Sequence, residues 1–495
     1  MVFNNSILLG AGGQSTGPSP FDPTVIGNSV WLDGSADKLT SSALSAQVDS
    51  GNFVAATWLQ RNDFGRLQRW ITLTSSSASK HGFGFFNSDD TTAWQNDNFF
   101  KETSTAVYRD IGWYHVIVSV NPSTCDIYIN GILQASTTLV SGGGFGPTFQ
   151  PQSDGYVFII GASQNSSDFF QGYLAQTVYL DGHSIQSGDV AVTDFLDSFT
   201  YGTNGSQFAP KADAAVAALA SAAGANSFCL DYGNSSSLGL DISSKGNNFT
   251  PGSMSSANQS TNTPSDVYAT LNVLIPNSST TYSEGNTKIT QTALTQVVPT
   301  TLFTRSGKFY AEVLVTNSGT WFGYNGVVPQ DDQAGPDWGL GNSDGYLWVS
   351  DGTLAHNGST PSVTTTYANN DRLMFGLDMD NGLLFIGKND VWLDSSGNSY
   401  TDLTDSANAV ATDLLTVSSD RWTFAPGASL GGGASATEQI FIEEDSWSFT
   451  PPTNFVSLNS ANVTAPEFQG KDFFDATLYE GNGRNQRVGD FVPFT

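Results

Sequence analysis

The stretch YANNDRLMFGLDMDNGLLFIGKND, residues 367–390, reads as two β-strands that fold back on each other at the DNG triplet 380–382. Asn and Gly tolerate the positive φ angles of tight hairpin turns, so this triplet between two apolar runs favours a hairpin. Alternate positions of the first strand are apolar: Leu373, Phe375, Leu377 and Met379. Alternation with a period of two residues indicates a strand that buries one face in an antiparallel sheet.

A second hairpin of the same kind is predicted in WYHVIVSVNPSTCDIYINGILQ, residues 113–134. The apolar positions that share one face are Tyr114, Val116, Val118 and Val120, followed by Cys125, Ile127 and Ile129. Other short strands with turn clusters surround both hairpins, a pattern typical of sandwiches and barrels. The predicted fold class is all-β, with two antiparallel β-sandwich (jelly-roll) domains joined by an irregular connector that contains one short helix.

The predicted organisation has five segments along the chain. They are an N-terminal arm (1–24), a first sandwich (25–200), the connector (201–284), a second sandwich (285–462) and a C-terminal tail (463–495). The helix is expected in the Ala-rich stretch 209–225, because Ala has the highest helix propensity. The remaining connector is crowded with Asn, Ser and Gly and is expected to lie along its neighbours. Its predicted anchors are Leu238, Leu240, Ile242, Phe249 and Tyr268.

The charge balance narrows the range of partners. The 495 residues include 18 Lys and Arg against 46 Asp and Glu, a formal net charge of −28. Release of counterions from phosphates drives nucleic-acid binding, so a chain with so few cations is not expected to bind nucleic acid. No apolar stretch approaches the roughly 20 residues that span a bilayer, and no membrane insertion is predicted. The first residues lack the basic segment of a secretory signal peptide, so none is predicted.

Both hairpins belong to stretches with a family resemblance. GWYHVIVSVNPSTCDIYINGILQ, with VFIIGAS and GYLAQTVYLDG, resembles the laminin-G/concanavalin A-like domain over about residues 25–195. GKFYAEVLV, GYLWVSDG and NDRLMFGLDMDNGLLFIGKND resemble the SPRY domain over about residues 285–460. Both families are two-sheet β-sandwiches, so the resemblance implies the same fold class as the alternation.

The arrangement as a whole resembles a recurrent structural protein of marine bacteriophages. The segments that carry this resemblance are FNNSILLGAGG near the start, FCLDYGNSSSLGLDISSKGNNFT in the connector and FTPPTNFVSLNSANVTAPEF at the exit. The resemblance implies a location in the virion, with other virion proteins as partners. A tail fibre or similar appendage that displays lectin-like surfaces to a host glycan or receptor is the first hypothesis. The alternative is a capsid decoration or another purely structural protein. A homo-oligomer is expected in either case.

An enzymatic role is not predicted. The glucanases among concanavalin A-like proteins need paired carboxylates about 5 Å apart, usually spelled E-x-D-x-x-E, and that spelling is absent from the chain. The nearest acidic cluster is Glu443, Glu444 and Asp445 in FIEEDSW, where Glu443 and Asp445 would share a face of a strand. A solvated edge or loop is the alternative for this cluster. GQSTG at 13–17 has the spelling of a nucleophile elbow but neither the strand nor the helix that such an elbow joins.

Two stretches combine aromatic rings with polar groups, as sugar-binding loops do. The candidate ligand-binding residues are Trp94, Asn96 and Asp97 in TTAWQNDNFF, and Asp337, Trp338, Asp344, Tyr346 and Trp348 in GPDWGLGNSDGYLW. In a binding site the rings would stack on a sugar while the amide and carboxylate groups would fix its hydroxyls. In the alternative, the rings pack into the sandwiches or against a neighbouring subunit.

Ca²⁺ is the one cofactor considered, because laminin-G-like domains often hold this hard cation with loop carboxylates and carbonyls. The candidate ligands are Asp33, Asp37, Asp154 and Asp181, each near a glycine in turn-like sequence. Each Asp could instead be a turn residue that accepts hydrogen bonds from its own backbone. The two cysteines, Cys125 and Cys229, and the four scattered histidines have no metal-ligand spacing.

Overall fold

A computed structural model describes most of the chain. The residues it describes are 25–44, 52–74, 79–86, 90–96, 100–109, 111–138, 157–163, 167–201, 205–274, 279–292, 296–317, 322–330, 344–357, 365–417, 421–429 and 435–463. The predicted arm and nearly all of the predicted tail lie outside these residues. The all-β fold class is confirmed.

The first sandwich is built from residues 29–260. Its strands are β1 (Ser29–Asp33), β2 (Lys38–Ser41), β3 (Phe53–Arg61), β4 (Gln68–Thr74), β5 (Ser79–Phe86), β6 (Thr91–Asn96), β7 (Phe100–Val107), β8 (Trp113–Val120), β9 (Thr124–Ile129), β10 (Ile132–Thr138), β11 (Val157–Ile160), β12 (Gln171–Asp181), β13 (Leu196–Tyr201), β14 (Gly205–Pro210), β15 (Phe228–Leu230), β16 (Phe249–Gly252) and β17 (Gln259–Ser260). Sheet 1a has the order β10-β9-β8-β3-β12-β1-β17, with β15 also paired to β12. Sheet 1b has the order β16-β2-β11-β4-β5-β6-β7, and β13 and β14 form a separate two-stranded sheet.

The core of the first sandwich lies between sheets 1a and 1b. The hairpin β8–β9 contributes the face that the alternation predicted, with Val118 opposite Ile127 in the antiparallel register. Its buried side chains are Tyr114, Val116, Val118, Val120, Cys125, Ile127 and Ile129. Leu39 and Phe158 of sheet 1b lie in the same cluster. Burial of each such side chain contributes about 1.5–3 kcal/mol, so the alternating face accounts for much of the stability of this domain.

The predicted connector adds strands to the first sandwich. β15 pairs with β12, β16 with β2, and β17 with β1. The helix expected at 209–225 is present as α1 (Asp213–Ala222), and its buried Val216 and Ala220 cover the outer face of sheet 1a. Of the predicted anchors, Leu238, Phe249 and Tyr268 are buried and Ile242 is partly buried, but Leu240 is 36% exposed.

The second sandwich is built mainly from residues after 279. Its strands are β18 (Thr280–Ser283), β19 (Lys288–Gln291), β20 (Gln296–Val297), β21 (Lys308–Asn317), β22 (Phe322–Pro329), β23 (Tyr346–Val349), β24 (Leu354–Ala355), β25 (Arg372–Asp378), β26 (Leu383–Lys388), β27 (Val391–Leu393), β28 (Ser399–Tyr400), β29 (Trp422–Ser429) and β30 (Ala436–Phe441). Sheet 2a has the order β18-β19-β30-β21-β25-β26-β27-β28, and sheet 2b has the order β20-β29-β22-β23-β24. Short 3₁₀ turns lie at Val192–Asp194, Ser256–Asn258, Ser406–Asn408 and Glu444–Ser446.

The hairpin predicted at 367–390 is β25–β26, in the middle of sheet 2a. Leu377 lies opposite Leu384, and the predicted apolar face is buried between sheets 2a and 2b. The turn requires Gly382, whose φ is +70° and whose added Cβ would lie 2.9 Å from Leu415 Cγ. Asp378 closes the turn by accepting hydrogen bonds from the backbone N–H groups of Asp380 and Asn381, 3.1 Å each.

A polar cluster lies inside the second sandwich. Glu438 on β30 is 1% exposed, and its Oε1 accepts a hydrogen bond from Asn325 Nδ2 at 3.1 Å. Asn325 Nδ2 also donates to the hydroxyl of Tyr367, which donates to the backbone carbonyl of Trp348. Glu438 Oε2 has no hydrogen-bond partner among the described residues. Burial raises the pKa of Glu438 to about 8 against the opposing effect of the Asn325 and Gly427 hydrogen bonds, so the carboxyl group is largely protonated at neutral pH.

The two sandwiches contact each other through the connector. Ser29 in β1 donates its hydroxyl hydrogen to the carbonyl of Asn262 at 2.7 Å. The N–H of Ala269 donates to the carbonyl of Leu458 at 2.9 Å. The segment 260–270 is therefore bonded to both sandwiches. In the part of the chain that the structure describes, none of the helices combines the length and hydropathy needed to cross a bilayer.

Candidate functional site

A cleft of about 160 Å³ lies where the two sandwiches and the connector meet. We call it the junction cleft. Trp31 on β1 and Tyr173 on β12 line it from the first sandwich, and Gln259 and Ser260 line it from the connector. The lining residues from the second sandwich are Glu284, Thr287, Gln439, Ile440, Phe441, Ile442, Glu443 and Ser446. Pockets at domain interfaces with mixed aromatic and polar linings are common ligand sites, so this is the candidate functional site.

The Tyr173 side chain fixes one wall of the junction cleft. Its hydroxyl donates a hydrogen bond across the junction to the carbonyl of Gly285 at 3.0 Å. A Cβ added at Gly285 would lie 1.9 Å from the Tyr173 hydroxyl oxygen and 3.1 Å from Cδ1 of Trp31, and Gly285 has a φ of +65°. Only glycine allows this backbone so close to the two rings.

Glu443 fixes the opposite wall of the junction cleft. Its carboxylate accepts hydrogen bonds from the Ser260 hydroxyl at 2.9 and 3.1 Å, and from the N–H and hydroxyl of Thr261 at 3.0 and 3.1 Å. Glu444 accepts from the hydroxyls of Tyr268 at 3.1 Å and Ser457 at 2.6 Å. Two of the three residues in the predicted acidic cluster therefore connect the second sandwich to the connector.

Glu443 and Asp445 do not share a face of a strand. β30 ends at Phe441, and Glu443 precedes the 3₁₀ turn Glu444–Ser446. Asp445 is exposed on this turn. The prediction of a loop for this cluster is therefore confirmed.

Burial and negative charge dominate the electrostatics of the junction cleft. Burial raises the pKa of Tyr173 well above its ordinary value, and the nearby carboxylates of Glu443 and Glu284 add to the effect. Burial also raises the pKa of Glu443, although its hydrogen bonds oppose the shift. Lys, Arg and His are absent from the described residues that line the cleft. A ligand here therefore meets hydrogen-bond acceptors and negative potential.

Two of the three predicted ligand-binding residues of the first sandwich lie on β6. Trp94 and Asn96 are on this strand, opposite Phe83 and His81 of β5 in the register. Asp97 lies outside the described residues. β6 lies next to β7 at one end of sheet 1b, whereas β1 lies in sheet 1a.

Of the predicted ligand-binding residues of the second sandwich, some are buried in its core and others lie outside the described residues. Trp348 is 0% exposed, and its indole N–H donates to the carbonyl of Thr365 at 3.0 Å. Tyr346 is 6% exposed, stacks on His356 with ring centroids 3.9 Å apart and donates its hydroxyl hydrogen to Asp413. Both rings therefore pack into the sandwich and do not form a loop site, because both faces of β23 are covered. Asp344 is partly buried, and Asp337 and Trp338 lie outside the described residues.

The predicted Ca²⁺ ligands that are described make turns instead of an open cation site. Asp33 accepts hydrogen bonds from the N–H groups of Ser35, Ala36 and Asp37 at 2.7–3.2 Å. Burial acts to raise the pKa of Asp33, but the hydrogen bonds from Ser35 and the backbone lower it overall. Asp37 accepts from the N–H of Asp33 at 3.1 Å and from Asn258 Nδ2 at 2.9 Å, and burial raises its pKa to about 6. Both oxygens of Asp33 and Oδ2 of Asp37 thus already accept hydrogen bonds from protein donors.

Asp181 is likewise engaged in the protein interior. It is 3% exposed and accepts hydrogen bonds from the N–H and side-chain amide of Asn226 at 3.3 and 3.1 Å. This links β12 to the turn after α1. Asp154 lies outside the described residues. No group of three or more His, Cys, Asp or Glu residues with metal-binding geometry occurs among the residues that the structure describes.

Residues 33–178 match the sequence profile of the Laminin G 3 family, described as the concanavalin A-like lectin/glucanases superfamily. Over these residues the first sandwich is similar to concanavalin A-like domains. No curated protein sequence matches the chain.

Three solved structures are similar to parts of the chain. The SPRY domain of human HERC1 is 15% identical, with a TM-score of 0.26, and the match covers 32% of this chain and 91% of that domain. A heptameric SAP-like pentraxin from Limulus polyphemus is 12% identical, with a TM-score of 0.26 and coverage of 37% and 95%. A Bacteroides ovatus protein assigned to carbohydrate binding is 14% identical, with a TM-score of 0.23 and coverage of 30% and 44%. At these TM-scores the similarity carries no conclusion about function.

Proposed function

We propose that this chain is a non-enzymatic attachment protein of a bacteriophage virion that binds a saccharide on the host surface. The observation that carries the proposal is the match of residues 33–178 to a superfamily of lectins and glucanases. The virion location rests on the sequence resemblance of the opening, connector and exit segments to phage structural proteins. In this proposal the protein is part of a tail fibre or similar appendage and contacts other virion proteins.

Hydrogen bonding in the acidic cluster favours binding over glycan hydrolysis. A retaining glucanase needs one free carboxylate as nucleophile and a second as acid, about 5 Å apart. Glu443 and Glu444 instead accept hydrogen bonds from connector and exit residues. Asp445 is exposed on a turn and has no second uncommitted carboxylate beside it in this cluster.

A second candidate function, capsid decoration or another purely structural role, is supported by an apolar edge. β10 is the edge strand of sheet 1a, and Ile132 and Leu133 at its start are 60% and 49% exposed. An edge strand offers unpaired N–H and carbonyl groups, and exposed apolar side chains favour contact with another chain.

Two measurements test the proposed function. Gold-tagged antibody on purified particles should label the tail or its fibres in electron micrographs, and the recombinant full-length chain should coat host cells and block infection. Label over the capsid, with no adsorption to cells, would favour the decoration role. Absence of label from the particles would end the virion proposal.

A further inference from the structure

We propose that the junction cleft binds a single pyranose ring, either uncharged or carrying an amino group, with Trp31 as the stacking platform. This inference rests on the proposed function and assigns the saccharide to a site made by both sandwiches. It differs from the loop sites that the sequence suggested.

The first argument is the position of the aromatic surface. Trp31 is partly exposed, whereas the neighbouring Tyr173 is 2% exposed and hydrogen-bonded to Gly285. Tyr173 therefore acts as a rigid support, and Trp31 is the ring that a ligand can contact. An indole ring can cover the apolar face of a pyranose, and burial of apolar surface contributes about 25 cal/mol per Å².

The second argument is the ring of polar groups around this platform. Gln259 and Gln439 are partly exposed, and the Glu284 side chain is 47% exposed. Amide and carboxylate oxygens at these positions can accept hydrogen bonds from several hydroxyls of one small ligand. The volume of about 160 Å³ is below the roughly 300–1,000 Å³ of pockets for drug-sized ligands, and this favours one ring over an oligosaccharide.

The third argument is charge. The lining contains the carboxylates of Glu284 and Glu443. The cations that lie nearby are paired: Lys288 Nζ is 3.9 Å from Glu284, and Arg372, which lies over the Phe441 ring at 3.8 Å, forms an ion pair with Glu312. A uronic or sialic acid would meet net negative potential, whereas a neutral or amino sugar would not.

The fourth argument is that the cleft requires both sandwiches. Trp31 and Tyr173 come from the first sandwich, and Gln439 and Glu284 come from the second. The Tyr173–Gly285 and Glu443–Ser260 hydrogen bonds hold these walls together. A bound sugar therefore stabilises the docked arrangement of the sandwiches, since it contacts both.

The experiment measures binding of glucose, glucosamine, galactose, mannose, N-acetylglucosamine and glucuronic acid to the full chain by saturation-transfer NMR. At least one neutral or amino sugar should bind, and glucuronic acid should bind at least about tenfold more weakly. Trp31→Ala should weaken binding about tenfold, and Trp31→Phe should restore part of it. Trp392→Ala is the matched control, since Trp392 is a partly exposed tryptophan in another aromatic cluster of the second sandwich. It should leave binding unchanged.

Each outcome has one reading. Binding that is unchanged in both Trp31 variants, equal affinity for glucuronic acid, or no binding of any sugar would overturn the inference. Unchanged sugar binding by the Trp31→Ala variant, with adsorption to host cells at the wild-type level, would overturn the inference and leave the proposed function standing. Cleft binding by a chain that does not adsorb to cells would support the inference and count against the proposed function. Thermal unfolding of each variant confirms that it is folded.

Discussion

Replacement of Glu438 by Gln should stabilise the second sandwich near neutral pH and remove part of its pH dependence. The ordinary pKa of a Glu carboxyl group is 4.5, and burial raises that of Glu438 to about 8. Between these values the folded chain holds a proton that the unfolded chain has released, so stability falls as the pH rises from about 4.5 to about 8. At about 1.4 kcal/mol per pKa unit, the loss is about 3 kcal/mol at pH 7 and about 5 kcal/mol above pH 8. Gln keeps the acceptor for Asn325 and carries no charge at any of these pH values.

The assay is chemical unfolding of the wild type and the Glu438→Gln variant at pH 5, 7 and 8.5, followed by tryptophan fluorescence. The two stabilities should be similar at pH 5 and diverge as the pH rises, with the variant more stable at pH 8.5. Asp445→Asn removes an exposed carboxylate from the same domain and should follow the wild type throughout. Parallel pH profiles for the wild type and Glu438→Gln would refute the reasoning.

Three further changes test the junction and the turns. Gly285→Ala should lower the free energy of unfolding by about 1–3 kcal/mol and expose the junction to proteolysis, because the new Cβ would meet the Tyr173 hydroxyl at 1.9 Å. Glu443→Ala should cost about 1–3 kcal/mol in chemical unfolding, because the Ser260 and Thr261 donors lose their acceptor. Removal of divalent cations with EDTA should not change the thermal midpoint by more than about 2 °C, because the oxygens of Asp33 and Asp37 already accept hydrogen bonds.

Each of these tests has its own control. Gly246→Ala shares the strain of a positive φ, +77°, with no heavy atom within 4 Å of the added Cβ, and it should cost less than Gly285→Ala. Equal costs for the two alanines would mean that the Tyr173 contact is unimportant. If the Glu443→Ala variant unfolds at the same denaturant concentration as the wild type, the hydrogen bonds of Glu443 do not stabilise the junction. A large drop in the thermal midpoint with EDTA, reversed by Ca²⁺, would restore the cation prediction.

The two hairpins were predictable because each signal is local. The alternating apolar face of 113–120 and the DNG turn at 380–382 lie within single short stretches, and a one-residue shift of register would turn the whole apolar face away from the core between the two sheets. The burial of Trp348 could not be predicted in the same way. GYLWVSDG shows no alternation of polar and apolar residues. Both faces of β23 are buried, and its four residues are all apolar or aromatic: Tyr346, Leu347, Trp348 and Val349. An aromatic-rich loop and a strand covered on both faces look alike in sequence.

The junction cleft was missed for a different reason. Its lining residues are far apart along the chain, and no spacing or motif connects them. They include Trp31, Tyr173, Gln259, Glu284 and Glu443. The acidic cluster EED does lie at the cleft, but the sequence presented it as a candidate catalytic pair. The Ser260 and Thr261 groups that donate hydrogen bonds to Glu443 are more than 180 residues away and could not be inferred from it. The pairing of β17 with β1 helps to bring that connector segment between the sandwiches.

The strands that the connector adds to the first sandwich have a consequence for synthesis on the ribosome. β1 lies between β12 and β17, and the hydrogen bond from Ser29 to Ser260 spans 231 residues of sequence. When residue 200 has just been added to the nascent chain, three partner strands have not been synthesised. These are β17, which pairs with β1, β16, which pairs with β2, and β15, which pairs with β12. Contacts so distant in sequence slow folding. The nascent first sandwich therefore waits with open edges until the connector emerges, and this interval is when a holding chaperone or a low temperature would most improve its yield.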